Sequence, residues 1–376
     1  MRRLLAAVFA AATCLPAQAP AARFANGPPT EPAWFPLAVW LQSPHHAGRY
    51  RELGVNLFIG LWQGPTQAQL DALDAAGMKV ICEQNEVGLA HRGGTIIGWM
   101  HQDEPDNAQA RAVGYGPPVA PAEIARRYEA MRKADPTRPV FLNLGQGAAW
   151  DGWHGRGVRT NHPEDYPEYL KGCDIGCFDI YPVTHTHRDV QGRLEWVARG
   201  VQRLRQGCRD QKPIWACIEA THIDNQDVRP TPQQVQDEVW LAICAGAQGI
   251  VWFAHQFAPS FVEAGLLQHD EIRDAVRDVH AAVLAVAPVL HAERADAAVV
   301  VTTRPKAEVA VRAHRHDGAL HVFVASLAPG PVTARVQLRE RKAAQVRIDG
   351  GAAAALQDGA CTVALRGYGH AHLVVE

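Results

Sequence analysis

Along most of this chain the apolar residues fall in short unbroken runs, separated by stretches with helical spacing. The runs are 35–42 (FPLAVWLQ), 56–63 (NLFIGLWQ), 79–85 (KVICEQN), 96–100 (IIGWM), 139–144 (PVFLNL), 175–183 (IGCFDIYPV), 213–219 (PIWACIE) and 249–255 (GIVWFAH). A strand buried on both faces reads as such a run, whereas a half-exposed strand alternates. Helices are predicted over 44–53, 66–76, 121–134, 192–207, 231–245 and 271–289. Ser43 and Gly54 are placed to cap the first, Leu70 and Leu73 share a face of the second, and Pro232 suits a helical first turn. Parallel neighbours need crossover connections, so strand-then-helix units in series predict an α/β fold, the closed (β/α)8 TIM barrel. An open doubly wound sheet is the competing arrangement, but no Gly-rich phosphate turn follows the first run.

The pattern changes near residue 293. Strand-like runs at 297–303, 309–315, 320–327, 332–338, 344–348, 361–365 and 371–376 follow with no helical period, and Asp317-Gly318 is a hairpin signal. They predict a small antiparallel C-terminal β-sandwich. The expected organisation is a signal peptide at 1–21, a catalytic barrel at 22–292 and an accessory sandwich at 293–376.

The leader is read from Arg2 and Arg3, the apolar stretch from Leu4 to Leu15, and Ala17-Gln18-Ala19 as a cleavage site. That pattern predicts export, to the periplasm or outside the cell, and no later run is long and apolar enough to predict a membrane span. A formal net charge of −2 over 376 residues leaves no basic footprint for nucleic acid. Beyond the leader seven Cys remain, an odd number. Cys173 and Cys208 can pair, while Cys82, Cys177 and Cys217 lie in apolar runs and read as core. The His185-Thr186-His187 and His314-Arg315-His316 triplets stand alone, and neither a metal nor a cofactor is expected.

Barrel enzymes carry their chemistry at the C-terminal ends of the strands. Here those positions hold Trp40 and Gln42, Trp62 and Gln63, Gln84 and Asn85, Asp103 and Glu104, Asn143, Tyr181, Glu219 and His222, and Trp252 and His255. A rim so poor in Lys and Arg is not built for phosphate. Amides and carboxylates bind hydroxyls, and aromatic rings stack on C–H faces, so the mixture points to an oligo- or polysaccharide. Cleaving a glycosidic bond takes two carboxyl groups, one to protonate the leaving oxygen and one to attack the sugar or activate water. Glu104 closes the fourth run in IIGWMHQDEPD and Glu219 closes the seventh, so the pair can converge on one bond. The bland alternatives are that Asp103 and Glu104 open a solvated loop and that Glu219 is a buried structural carboxylate. Trp40 and Trp62 can equally be core, and Asn85 and Asn143 can cap loops. Asp179, deeper in its run, reads as structural, and His185 and His187 as loop residues.

Four segments, GWMHQDEPD, DIYPV, PIWACIEATH and QGIVWFAH, resemble the clan A glycoside hydrolases, the superfamily of retaining (β/α)8 glycosidases. The resemblance covers about residues 35–290 as architecture plus motifs. It implies a retaining double displacement with Glu104 as acid/base and Glu219 as nucleophile. It further implies that Tyr181 hydrogen-bonds the nucleophile and that Trp252 floors the sugar site. Asp103, Asn143, Asn85, His222, Trp62 and Trp40 complete the expected substrate contacts. One position departs: the clan usually has Asn before its acid/base Glu, and this chain has Asp103. A second ionisable group there raises the pKa of Glu104, which suits an acid, and also makes Asp103 itself a candidate acid. A carbohydrate-binding barrel without catalysis is the alternative function.

Overall fold

The computed structural model describes residues 24–339 and 345–376. The expected leader, residues 22–23 and the first residue of the 344–348 run lie outside them. Eight parallel strands close a barrel in sequence order: β1 (Leu37–Trp40), β2 (Leu57–Ile59), β3 (Lys79–Cys82), β4 (Ile96–Met100), β5 (Val140–Leu144), β6 (Ile175–Asp179), β7 (Ile214–Glu219) and β8 (Ile250–Phe253). Each lies within one of the apolar runs. The reason is visible in the packing. One set of side chains, among them Leu57, Ile59, Ile81, Phe141, Trp215 and Val251, fills the lumen. Their neighbours, among them Val39, Phe58, Val80, Leu142, Phe178 and Ile218, are buried under the helices. Burial of each such side chain contributes about 1.5–3 kcal/mol, so both faces of a strand are mostly apolar.

The helices are α1 (Ala47–Glu52), α2 (Gln67–Ala75), α3 (Glu86–Ala90), α4 (Pro121–Ala134), α5 (Asp165–Tyr169), α6 (Glu195–Gly207), α7 (Pro232–Ala245) and α8 (Asp270–Leu290). Capping boxes start α2 (Thr66 with Gln69) and α7 (Thr231 with Gln234). The first expected helix is divided: Ser43 caps a 3-10 turn, Pro44–His46, that leads into α1. After β3 and β5, where the sequence shows no long helical period, the crossovers are made by the five-residue helices α3 and α5. The connections freed in this way build long loops around the C-terminal mouth.

Behind the barrel, β9 (Glu293–Arg294), β10 (Val299–Arg304), β11 (Val309–His316), β12 (Ala319–Ser326), β13 (Val332–Leu338), β14 (Gln345–Ile348), β15 (Ala354–Ala355), β16 (Ala360–Leu365) and β17 (His370–Val375) form an antiparallel β-sandwich. Its sheets have the orders β10-β13-β16 and β15-β14-β17-β12-β11-β9. The sandwich docks on α7: the Trp240 ring stacks on His370 (4.5 Å) and Phe323 (6.2 Å), and Arg366 makes a two-pronged ion pair with Asp237. Tyr368 adds a hydroxyl bond to Glu195 (2.8 Å). All seven described cysteines are free thiols, so Cys173 and Cys208 do not pair here.

Candidate active site

The barrel mouth opens into a cavity of about 770 Å³. Trp40 and Gln42 (end of β1), Trp62 (after β2), Asp103 (after β4), Phe253 and His255 (end of β8), and Phe257, Phe261 and Glu263 (the following loop) line it. Trp62 is 70% exposed and Phe261 62%, so the cavity presents bare aromatic faces to solvent. Three residues that follow strand ends at the mouth also carry backbone strain. Leu41, Gln63 and Glu104 hold left-handed φ values of 45°, 53° and 40°, each costing a non-glycine residue on the order of 1 kcal/mol or more.

The strain at Glu104 is held by its surroundings. The Glu104 carbonyl accepts from the Asn107 backbone N–H (3.1 Å) and from Gln109 Nε2 (3.3 Å). Its Oε2 accepts from Asn107 Nδ2 (2.7 Å), and Asn107 Oδ1 in turn accepts from Trp153 Nε1 (2.8 Å). A Cβ at residue 145 would lie 2.9 Å from Glu104 Oε1 and 2.8 Å from Asn107 Nδ2, so only Gly145 allows this approach. Fully buried Asp106 locks the frame, accepting from the Gly145 N–H (2.9 Å) and the Tyr166 hydroxyl (3.0 Å) beside the Arg156–Asp165 ion pair (2.7 Å).

Three carboxyl groups meet above β4, β5 and β6. Asn143 Nδ2 donates to Asp103 Oδ1 and Asp179 Oδ2, 3.0 Å each. The Glu104 carboxyl neighbours that of Asp179, an arrangement that disfavours ionising both. Burial, then the charges of Asp179 and Asp103, push Glu104 well above the carboxylate range. Burial also raises Asp179 and Asp103, opposed in both by the Asn143 amide. The three titrate as one unit.

Glu219 is placed differently. It is wholly buried, and its carboxylate accepts from the consecutive backbone N–H groups of Val183 (2.6 Å) and Thr184 (2.9 Å). Its carboxyl neighbour is Glu238 of α7, which burial and the Glu219 charge push well above the carboxylate range. The carboxyl thus faces the helix layer and not the lumen, because two adjacent N–H groups form a nest for an anion there.

Other expected contacts also fall elsewhere. Tyr181 lies in the lumen with its hydroxyl on Cys217 Sγ (3.7 Å) and its ring on Phe253 (5.1 Å), and does not orient Glu219. Trp252 faces outward, its Nε1 donating to His280 Nε2 of α8 (2.7 Å), and Phe253 takes the inward place expected of it. Asn85 caps α3, accepting from the Gly88 N–H and donating to the Pro65 carbonyl, 2.8 Å each. His222 is half-buried near the rim: its Nδ1 lies 3.2 Å from the Asn225 carbonyl, and its own carbonyl holds the Phe257 N–H (3.0 Å). Trp40, Trp62, Asp103 and Asn143 do come together at the mouth with Glu104. A second aromatic group flanks Asn107: Trp150 and Trp153, with His185 (5.7 Å from Trp150) held by Gln146 (2.9 Å) and His187 (4.7 Å from Trp150). Asp106, Asn107, Gly145, Glu263 and the role of Asp179 escape the sequence reading, although DEPDN and the lone acid in FVEAG were available as signals. Among the described residues no group of three or more His, Cys, Asp or Glu side chains, the Asp103–Glu104–Asp179 group included, is arranged to hold a metal ion.

No family model and no curated protein matches this chain. Solved structures do. A putative α-galactosidase from Bacteroides fragilis NCTC 9343 is similar over 92% of this chain and 79% of its own, at 11% identity and a TM-score of 0.53. A GH5_18 protein from Bifidobacterium longum subsp. infantis (10% identity, 66% and 79% covered, TM-score 0.49) also aligns. So does a GH30 endoxylanase from Clostridium papyrosolvens C71 (12% identity, 91% and 96% covered, TM-score 0.46). At such identity the likeness establishes the fold alone, a TIM barrel with a β-sandwich behind it.

Proposed function

We propose that this protein is a glycoside hydrolase that cleaves an O-glycosidic bond of an oligo- or polysaccharide at the barrel mouth, with Glu104 as the proton donor. The observation that carries the reading is the placement of Glu104, held by Asn107 and next in the chain to Asp103, which lines an aromatic-walled cavity and is bonded to Asn143, with its carboxyl pushed above the carboxylate range by burial and by the charges of Asp179 and Asp103. A general acid must hold its proton at working pH, and burial among like charges provides that. Asp103, open to the cavity and bonded to Asn143, binds a sugar hydroxyl. Trp40, Trp62 and Phe253 supply stacking faces. The basic and apolar N-terminal sequence supports export, and among the described residues no helix is long and apolar enough to cross a membrane. The double displacement through Glu219 that the clan A resemblance implies gains no support from that residue's placement, and we assign Glu219 a structural part.

The test is turnover of an aryl-glycoside and oligosaccharide library by the protein and by Glu104→Gln. Parent-like activity in that variant would end the assignment of the acid. The second reading, a barrel that binds glycans without cleaving them, draws on the absence of a β7 carboxylate from the lumen. It predicts calorimetric binding of an oligosaccharide with no turnover of any library member.

A further inference from the structure

The cavity at the mouth carries a charge that its wall does not balance. Asp103 and Glu263 line it as carboxylates, and none of the lining residues is Lys or Arg. Arg49 of α1 gives its guanidinium to the Leu267 carbonyl (3.1 Å) and does not line the cavity. Burial lowers the pKa of His255, and of His46, which feels the Glu263 charge, so near neutral pH neither imidazole supplies a cation.

Glu263 is firmly seated. Its Oε1 accepts from the Ser43 backbone N–H, and its carbonyl accepts from Gln42 Nε2 (2.9 Å). Gln42 is itself fixed by the Tyr50 hydroxyl (2.5 Å). One carboxylate oxygen is thus tethered by a main-chain donor that favours the anion. The loop before Glu263 is closed by a two-bond bridge between Gln256 and Val262 (2.9 and 2.8 Å). That loop also raises the rings of the wall. Phe257 lies 5.9 Å from Phe253 and 5.7 Å from Phe261, and His255 stacks 6.2 Å and 5.9 Å from Phe257 and Phe261. Phe257 and Phe261 are exposed, as is Trp62 from beyond β2. Buried His255 Nδ1 has no hydrogen-bond partner among the described residues, which leaves a polar atom of the wall for a ligand.

A neutral sugar hydroxyl can bond a carboxylate, but it leaves the charge standing in a concave site that focuses the field. A ligand ammonium cancels that charge and is also drawn to open aromatic faces. We propose that the cavity selects an amino-sugar oligosaccharide with free, protonated amines, Glu263 pairing with the ammonium and Trp62, Phe257 and Phe261 offering it ring faces. This rests on the reading of the mouth as a saccharide site and not on which group attacks the sugar.

The test is calorimetric titration of the full chain with a glucosamine tetraose, the same tetraose N-acetylated, and the glucose tetraose of the same linkage, at a pH that keeps the amines charged. The glucosamine oligomer is expected to bind about tenfold more tightly than the other two, with added salt narrowing the gap. Glu263→Gln keeps an oxygen for the Ser43 N–H and should hold the parent thermal midpoint. It should erase the preference and leave the affinity for the glucose tetraose within about twofold. Glu129→Gln, at an exposed acid of α4, should keep the preference, which separates the cavity from general adhesion of a polycation. Should the Glu263 variant lose its fold, Trp62→Ala, at an exposed position, must weaken the glucosamine oligomer more than the neutral one. Equal affinity for the three oligomers, or a preference that survives in Glu263→Gln or in Trp62→Ala used in its place, would overturn the proposal. If neutral glycosides are cleaved and the glucosamine oligomer is not preferred, this proposal fails alone. If the Glu263-dependent preference is found and no library glycoside is turned over, the hydrolase reading fails and this one stands. If no saccharide binds, both fail.

Discussion

Two pairs of carboxyl groups sit at or behind the ends of barrel strands, and in both burial and the partner's charge push one acid well above the carboxylate range. Glu104 with Asp179 stands at the mouth, beside Asp103 and the cavity. Glu219 with Glu238 stands behind β7, where two backbone N–H groups and a helix close around it. In sequence Glu104 and Glu219 look alike, each a lone Glu closing an apolar run. Their environments give opposite uses. An acid of raised pKa beside an open cavity can transfer its proton to a ligand, whereas one with no outlet holds two elements together. A raised pKa therefore marks both sites, and access separates the reactive one from the structural one.

The sharpest way to break this comparison is to remove each acid in turn. Glu104→Gln is expected to lose about 10²–10⁴-fold in kcat at unchanged thermal stability. Glu219→Ala should do the reverse. It leaves the Val183 and Thr184 N–H groups and the Glu238 carboxyl buried without partners, and about 3–5 kcal/mol of unfolding free energy should be lost in a urea titration. A stable, inactive Glu219→Ala would restore that residue to the chemistry.

The pH dependence is a second handle. The raised Glu104 holds its proton below its folded pKa, so activity should fall as pH rises through that value, above the usual carboxylate range. Replacing Asp179 by Asn removes a neighbouring charge, and the alkaline limb of the kcat profile should move toward acid. An unmoved limb would show that Asp179 does not set it.

Two aromatic residues give a smaller contrast. Trp62→Ala should raise KM several-fold, worth about 1 kcal/mol of lost stacking, with little change in stability. Trp252→Phe should leave KM alone and cost about 1–2 kcal/mol of folding free energy, because His280 loses its buried donor.

The smallest effect is expected at Glu238. Its folded pKa is raised, so its contribution to stability is present below the ordinary carboxylate range and is lost as pH rises through the folded value. Glu238→Gln keeps a donor toward Glu219 without titrating. Stability near pH 5 should change by less than about 1.5 kcal/mol, and the alkaline decline should flatten. Parallel pH curves for the variant and the parent would remove the raised Glu238 pKa from the account of this pair.

The barrel was legible because its cause is local and repeated: strands buried on both faces must be apolar along most of their length, and β1 to β8 are, with polar residues such as Asn143, Asp179 and Glu219 at or near the C-terminal ends. That same property hid which side chains face the lumen. When both faces are apolar, IVWF gives no sign that Val251 and Phe253 point in and Trp252 points out. Glu219 was legible as a strand-ending acid, but its direction depends on the Val183 and Thr184 N–H groups, which the turn after β6 delivers. Glu104 depends on a left-handed backbone and on Gly145, some forty residues away in the chain. Glu263 comes from a loop whose shape is set by contacts with β1.

The sequence by itself determined the order of strands and helices, the change to antiparallel structure near residue 293, and the set of polar and aromatic residues at the strand ends. Those follow from hydrophobic burial and capping, which act over a few residues at a time. Only the tertiary structure decided which carboxyls meet, which are pushed above the carboxylate range, and which open onto the cavity. A carboxyl's direction and pKa are set by the donors, charges and solvent within a few ångströms of it, and in a barrel those come from distant parts of the chain.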